Sequence, residues 1–206
     1  MKKIYFGLMV FVGVLLQDFL LAYPPAVGIT GKAKDCLVCH ISNGPWKDDQ
    51  NLIIDLVEKT TGKSLKQPDG TFLIAANPNE VLEVFTVIGV TKDGGEAPTR
   101  NAWIYVNPDT LLEKDSDEWL GHRWWANLPL ACRLSGDSLE NYPGGKITAL
   151  PMRIRARENA RDVKLQLQVM LTKGESVKGK PKEGLIGSYF ERTVNLKVIS
   201  KEPEKK

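Results

Sequence analysis

Alternation of apolar and polar residues with a period of two is the feature that most constrains the fold of this chain. The run from Lys164 to Val169 alternates strictly, which places two leucines and a valine on one face of a strand. β-Branched or aromatic runs bounded by Gly, Pro, Asn or Asp occur at 72–75, 84–90, 103–106, 147–155, 163–171 and 193–199. This spacing predicts a mainly β fold, an antiparallel β-sandwich-like domain.

Four segments depart from this pattern. Apolar residues recur at helical spacing within Asn51–Thr60, which predicts a helix that stops at Gly62. Residues 109–142 are rich in Trp and turn residues and lack alternation, so we predict a long irregular insertion of the kind that is usually functional. Residues 173–188 are predicted to form an exposed basic hairpin loop, and the C-terminal tail 201–206 is predicted to be disordered.

The N-terminal residues are typical of an export signal. Two lysines precede an apolar run of 13 residues at 4–16, and the small residue Ala22 follows. We therefore predict that residues 1–22 are a signal peptide and that residues 23–206 form a single domain in the periplasm or an equivalent extracytoplasmic compartment. A retained membrane anchor is the alternative. The run is shorter than the ~20 residues needed to cross a bilayer, so we expect no membrane span in the mature chain.

Composition narrows the class of protein. The chain has 206 residues, of which 42% are hydrophobic and 26% charged, so it is long enough for a real core and too apolar for wholesale disorder. Its formal net charge of +3 is too small to indicate a nucleic-acid partner. Its three cysteines exclude a disulfide scaffold, because an odd count leaves one unpaired.

Residues 36–40 read C-x-x-C-H, the signature of covalent haem c attachment. Cys36 and Cys39, one turn apart on a short N-terminal helical haem-attachment segment, would add to the two vinyl groups, and His40 would bind iron as the proximal ligand. The alternatives are a structural disulfide, a thioredoxin-like redox pair and half of a zinc site. A redox pair would need a βαβ context and zinc a second Cys/His pair, and the sequence has neither. Trp46 follows closely and is predicted to pack on the porphyrin.

The second axial ligand has several candidates. Cys132 is the predicted distal ligand, because a lone thiol in an oxidising compartment is a liability unless something occupies it, and Arg133 would lower its pKa. A buried structural thiol and an intermolecular disulfide are the alternatives for this cysteine. His122 is the alternative distal ligand. Met152 and Met170 lie in strand-like runs, where core packing is the expected role.

The motif at 36–40 resembles that of the c-type cytochromes. Together with the non-helical body and one further cysteine, it resembles a subunit of the His/Cys-ligated heterodimeric cytochromes of anaerobic ammonium-oxidising bacteria. The resemblance implies a low-potential monohaem subunit, a second haem-bearing subunit as partner, and binding of NO and CO. It carries over Cys36, Cys39 and His40 as haem-binding residues and Cys132 as the distal ligand.

Three functions follow from these expectations. The first is a monohaem c-type cytochrome with one covalently attached haem, which transfers electrons at low potential or binds NO or CO, because a thiolate lowers the reduction potential. The second is a haem enzyme with an open distal site, in which His122 acts on peroxide or small nitrogen oxides. The third is a haem-bearing scaffold subunit of a larger electron-transfer complex or one that docks a redox partner protein. Trp119, Trp124 and Trp125 would line the distal side or pack in the core.

Overall fold

The computed structural model describes residues 35–38, 40–108, 120–127, 130–174, 180 and 183–199. The predicted signal peptide, the C-terminal tail, Cys39, Trp119 and part of the predicted basic loop lie outside these residues. Within the described ranges, no helix is long and apolar enough to cross a membrane.

The described residues form two β-sheets, which confirms the predicted mainly β fold. The strands are β1 (Leu52–Glu58), β2 (Phe72–Ala76), β3 (Val81–Val90), β4 (Arg100–Val106), β5 (Trp124–Ala126), β6 (Leu130–Leu134), β7 (Lys146–Ala156), β8 (Val163–Lys173) and β9 (Ile186–Val198). The four-stranded sheet has the order β1-β3-β7-β5, and the five-stranded sheet has the order β2-β9-β8-β4-β6. All pairs are antiparallel except β2 and β9.

The core lies between the two sheets. The alternation in β8 turns Leu165, Leu167 and Val169 inward, where they join one buried cluster with residues of both sheets. Large members of this cluster include Trp103 from the five-stranded sheet and Ile154 from the four-stranded sheet. The alternation of β8 in the sequence therefore identifies the residues of this strand that face the core.

The predicted helix over Asn51–Thr60 is wrong, because this segment contains β1. The strand is buried on both faces. Ile54 and Leu56 join the main core, whereas Ile53 and Val57 pack on the outer face of the four-stranded sheet, beneath residues of the segment before β7. Because both faces of β1 are buried, its apolar residues do not alternate with polar ones. Their spacing instead matches that of an amphipathic helix.

The insertion at 109–142 is only partly irregular. It contains β5, which pairs with β7, and β6, which pairs with β4. Both are short strands at the edges of their sheets. The predicted irregular insertion therefore contains two short edge strands that its lack of alternation did not reveal.

Gly89 is a position where the fold requires a glycine. Its φ is +153°, and a Cβ there would lie 2.2 Å from the Lys146 carbonyl oxygen on the neighbouring strand. We expect Gly89→Ala to lower the free energy of unfolding by at least about 2 kcal/mol, since the backbone of β7 must shift. Gly70→Ala is the control, because Gly70 also has positive φ (+84°) but open space around it, and about 1 kcal/mol is expected. Urea unfolding of both variants measures the difference, and equal losses would contradict the close packing of β3 against β7.

Candidate functional site

One row of side chains crosses the outer face of the five-stranded sheet. Ala102 on β4 pairs with Cys132 on β6 and with Met170 on β8, and Met170 pairs with Tyr189 on β9. Directly paired residues of neighbouring strands share a face and have Cα atoms about 5 Å apart. Cys132 therefore faces the same side of the sheet as the other three.

The C-x-x-C-H segment packs on this same row. Cys36 forms a buried cluster with Ala102 and Met170, and Leu37, Ile104 and Tyr189 pack against the cluster. The Cys36 backbone N–H donates to Gln168 Oε1 at 3.1 Å, so the segment is fixed by a buried polar contact as well as by packing. The sheet register thus brings Cys36 and Cys132, 96 positions apart in the chain, to one face.

A tight turn carries His40 back over Cys36. Residues Cys36–Val38 form a 3-10 turn, and the His40 N–H donates to the Cys36 carbonyl oxygen at 2.9 Å. Burial lowers the pKa of His40, so the neutral imidazole that binds metals is the stable form. The Nδ1 atom of His40 is buried and has no hydrogen-bond partner among the described residues.

The segment after the motif, residues 41–48, is hydrogen-bonded to the half of β9 that does not pair with β2. The N–H groups of Asn43 and Gly44 donate to the Gly187 carbonyl oxygen at 2.8 and 2.6 Å, and the Tyr189 N–H donates to Ser42 Oγ at 3.2 Å. Further along, the Arg192 guanidinium binds both carboxylate oxygens of Asp48. These bonds fix the position of the motif on the sheet from its C-terminal side.

Close approach to β9 depends on the absence of a side chain at Gly187. A Cβ there would lie 2.9 Å from both the Ile41 carbonyl oxygen and the Met170 Sδ. We expect Gly187→Ala to cost about 1–3 kcal/mol of stability and to loosen the segment after the motif, which speeds trypsin cleavage at Lys47. Gly70→Ala is the control, because a Cβ at Gly70 meets nothing within 4 Å and its positive φ (+84°) brings backbone strain of about 1 kcal/mol without this contact. Equal cleavage rates in the two variants would show that the segment does not depend on this packing.

Cys132 is an exposed free thiol, which excludes the alternative of a buried structural cysteine. Desolvation by the surrounding protein atoms raises its pKa, and the positive charge of Arg100 opposes this shift. The prediction that Arg133 lowers this pKa is wrong. The opposing charge comes from β4, the strand beside Cys132, where Arg100 lies two residues from Ala102, the residue that pairs with Cys132. Desolvation raises the pKa of Cys132 by more than the charge of Arg100 lowers it.

Three residues of β8 and β9 form the floor of the site and were not foreseen as site residues. Met170 and Gln168 are almost completely buried although they lie on the outer face. Tyr189 donates its hydroxyl to Glu191, and burial together with that carboxylate raises its pKa far above the usual range. The alternation of β8 contains a signal for Met170, because it is the one apolar residue on a face otherwise occupied by polar residues. Met152, in contrast, packs in the main core as expected.

Of the predicted tryptophans, the three that the structure describes are not brought to this face. Trp46 is 7% exposed, belongs to the main core and donates its indole N–H to the Glu96 carbonyl oxygen at 2.7 Å. Trp124 is also in the core, and Trp125 lies on the four-stranded sheet beneath Arg155. For Trp46 and Trp124 the structure provides a packing role between the sheets.

His122 lies at another part of the molecule. Its carbonyl oxygen accepts a hydrogen bond from the Arg161 N–H, just before β8 begins at Val163. Met170, beside Cys36, lies seven residues further along β8, which is about 20 Å at the usual rise per residue. The described structure therefore brings Cys132, and not His122, to the C-x-x-C-H segment.

The described donors fit a haem c. Cys36 is buried on the outer face of the sheet, His40 follows it within one turn and is stable as the neutral ligand, and Cys132 shares their face. The unpartnered Nδ1 of His40 is the kind of buried polar atom that requires an explanation. Within the parts of the chain that the structure describes, no three His, Cys, Asp or Glu side chains cluster to hold a metal ion on their own. A porphyrin would supply four of the six iron ligands, leaving two for the chain.

Comparison of the chain with protein-family models, with characterised proteins and with solved structures gives no match.

Proposed function

We propose that this chain is a monohaem c-type cytochrome with His40 and Cys132 as axial ligands. The observation that carries the proposal is the shared outer face of the five-stranded sheet, on which the C-x-x-C-H segment packs beside the row that contains Cys132. A bound haem c supplies one-electron chemistry and an iron position that diatomic gases can occupy.

Each residue of the proposed site has a distinct task. Cys36 and Cys39 would each add a thiol S–H across one vinyl group, so that two C–S bonds would hold the cofactor. His40 provides a neutral imidazole, in keeping with its lowered pKa. Gln168 and Met170 support the attachment segment from below.

Cys132 gives the site its chemical character. The protein alone raises the pKa of this thiol, so the thiolate would form because iron displaces the proton on coordination. A thiolate ligand favours ferric iron and lowers the reduction potential. Low-potential electron transfer, or binding of NO or CO in place of Cys132, are the functions that such a site suits.

A haem enzyme is the less favoured function. It required His122 as a distal acid or base, and His122 lies about 20 Å along β8 from the row beside Cys36. A second haem-bearing subunit and an extracytoplasmic location remain parts of the proposal that rest on the sequence.

The haem content of the purified protein tests this proposal. We expect one haem per chain after production in a periplasm with a haem c maturation system. The haem should remain attached when the protein is denatured, because thioether bonds survive unfolding. A chain without haem, or with haem that denaturation removes, would contradict the proposal.

A further inference from the structure

An excess of cations lies at one end of the four-stranded sheet, next to the start of β8. This end comprises the turn before β5, strand β5 with the part of β7 that pairs with it, and the loop that joins β7 to β8. Four arginines lie there with one tryptophan, and we call this set the cationic end: Arg123, Trp125, Arg155, Arg157 and Arg161. Two acidic residues, Glu158 and Asp162, share the loop, and Asp162 accepts a hydrogen bond from the Val198 N–H. Among the described residues, Arg157 and Arg161 form no side-chain hydrogen bond or ion pair, so their donors are available to a ligand.

A strained turn presents part of this surface. Residues 121–124 form a β-turn closed by a hydrogen bond of 3.1 Å from the Trp124 N–H to the Gly121 carbonyl oxygen. Its central residues, His122 and Arg123, have φ values of +48° and +68°, a conformation that costs roughly 1–3 kcal/mol for each residue other than glycine. Asn-Gly is the usual choice for such a turn, and here an exposed His-Arg pair takes its place.

The surface is also held rigid. The Arg157 N–H donates to the Arg123 carbonyl oxygen at 3.0 Å, and the Arg161 N–H donates to the His122 carbonyl oxygen at 3.3 Å. The buried indole of Trp124 donates to the Arg161 carbonyl oxygen at 2.7 Å. The two loops are therefore fixed side by side, and binding a ligand there costs little ordering of the backbone.

Arg155 adds a specific recognition group. Its guanidinium lies over the Trp125 ring, 5.9 Å from the ring centroid, and its Nε is buried without a hydrogen-bond partner among the described residues. Stacking on an aromatic ring holds a guanidinium flat and leaves its edge free to bind a carboxylate with two hydrogen bonds. The Nε itself is buried, so a partner's carboxylate would bind the terminal Nη groups of this guanidinium.

We propose that the cationic end is a docking surface for a partner protein with a cluster of carboxylates. The arginines extend along a strand and two loops, an arrangement that matches several carboxylates on an acidic surface better than one small anion. This proposal is independent of the haem, because the surface lies about 20 Å along β8 from the row beside Cys36.

Binding of a labelled glutamate-rich peptide to the full chain, followed by fluorescence anisotropy, tests this proposal. The double variant Arg157→Glu/Arg161→Glu should weaken binding about tenfold or more. The control Lys47→Glu/Lys92→Glu changes the net charge equally at exposed positions elsewhere, and it should weaken binding less than about twofold. Arg155→Lys keeps the charge but loses the planar fork, and about a threefold loss is expected.

Three outcomes would overturn the proposal. Equal losses in the two double variants would mean that only net charge matters. If Arg155→Lys bound the peptide as well as the wild type, the stacked guanidinium of Arg155 would take no part in binding. Tighter binding to a DNA duplex of the same charge than to the peptide would assign the surface to nucleic acid instead.

Discussion

Replacement of Cys132 by alanine should convert the ferric haem from a low-spin to a high-spin or water-ligated form. It should also raise the midpoint potential by on the order of 100 mV, because the thiolate no longer stabilises ferric iron. Cys132 is exposed at the edge of the sheet, so its truncation removes little core packing and the protein should still fold. Absorption spectra and a redox titration of the purified variant measure both effects.

Leu134→Ala is the matched control for this experiment. Leu134 lies two residues along β6 on the same face, is 59% exposed and has no ligating atom. Its variant should keep the wild-type spectrum and potential. If Cys132→Ala also keeps both, the thiolate does not bind iron and the distal ligand must be sought elsewhere.

The double variant Cys36→Ala/Cys39→Ala should lose covalent haem completely. Both thioether bonds are removed, and His40 alone cannot retain the cofactor through denaturation. Mass spectrometry under denaturing conditions should find the bare polypeptide for this variant and one haem per chain for the wild type. Cys132→Ala serves as the control, since it removes one thiol of the three but should retain the haem.

Haem that stays attached in the double variant would contradict the assignment of the motif. If removal of any cysteine unfolded the protein and so prevented haem attachment, the Cys132→Ala control would lose its haem as well. Haem retained in that control excludes this explanation. The pair of variants therefore separates attachment, which depends on the C-x-x-C-H segment, from axial ligation, which depends on Cys132.

The strands that face the core could be predicted because burial on one face imposes alternation. β8 is the clearest example, with Leu165, Leu167 and Val169 inward. β1 could not be predicted, because Ile53 and Val57 are buried on the outer face by Leu139 and Tyr142, residues more than 80 positions away. Burial by residues so distant in the chain depends on tertiary structure, so the sequence of β1 itself does not reveal it.

The candidate site divides in the same way. Attachment through residues 36–40 is a local property that the motif predicts. The proximity of Cys36 to Cys132 depends on the register of β6 on β4 and of β4 on β8, which no local pattern encodes. The floor is only partly visible in the sequence. Met170 is an apolar residue on the polar face of β8, whereas only the packed motif explains why the outward-facing Gln168 is buried.

The electron paramagnetic resonance spectrum of the oxidised wild-type protein tests the central claim most directly. Ligation by His40 and Cys132 predicts a low-spin ferric signal of the thiolate type that disappears in Cys132→Ala and persists in Leu134→Ala. A high-spin signal in the wild type, or a low-spin signal that Cys132→Ala leaves unchanged, would contradict the proposed ligation.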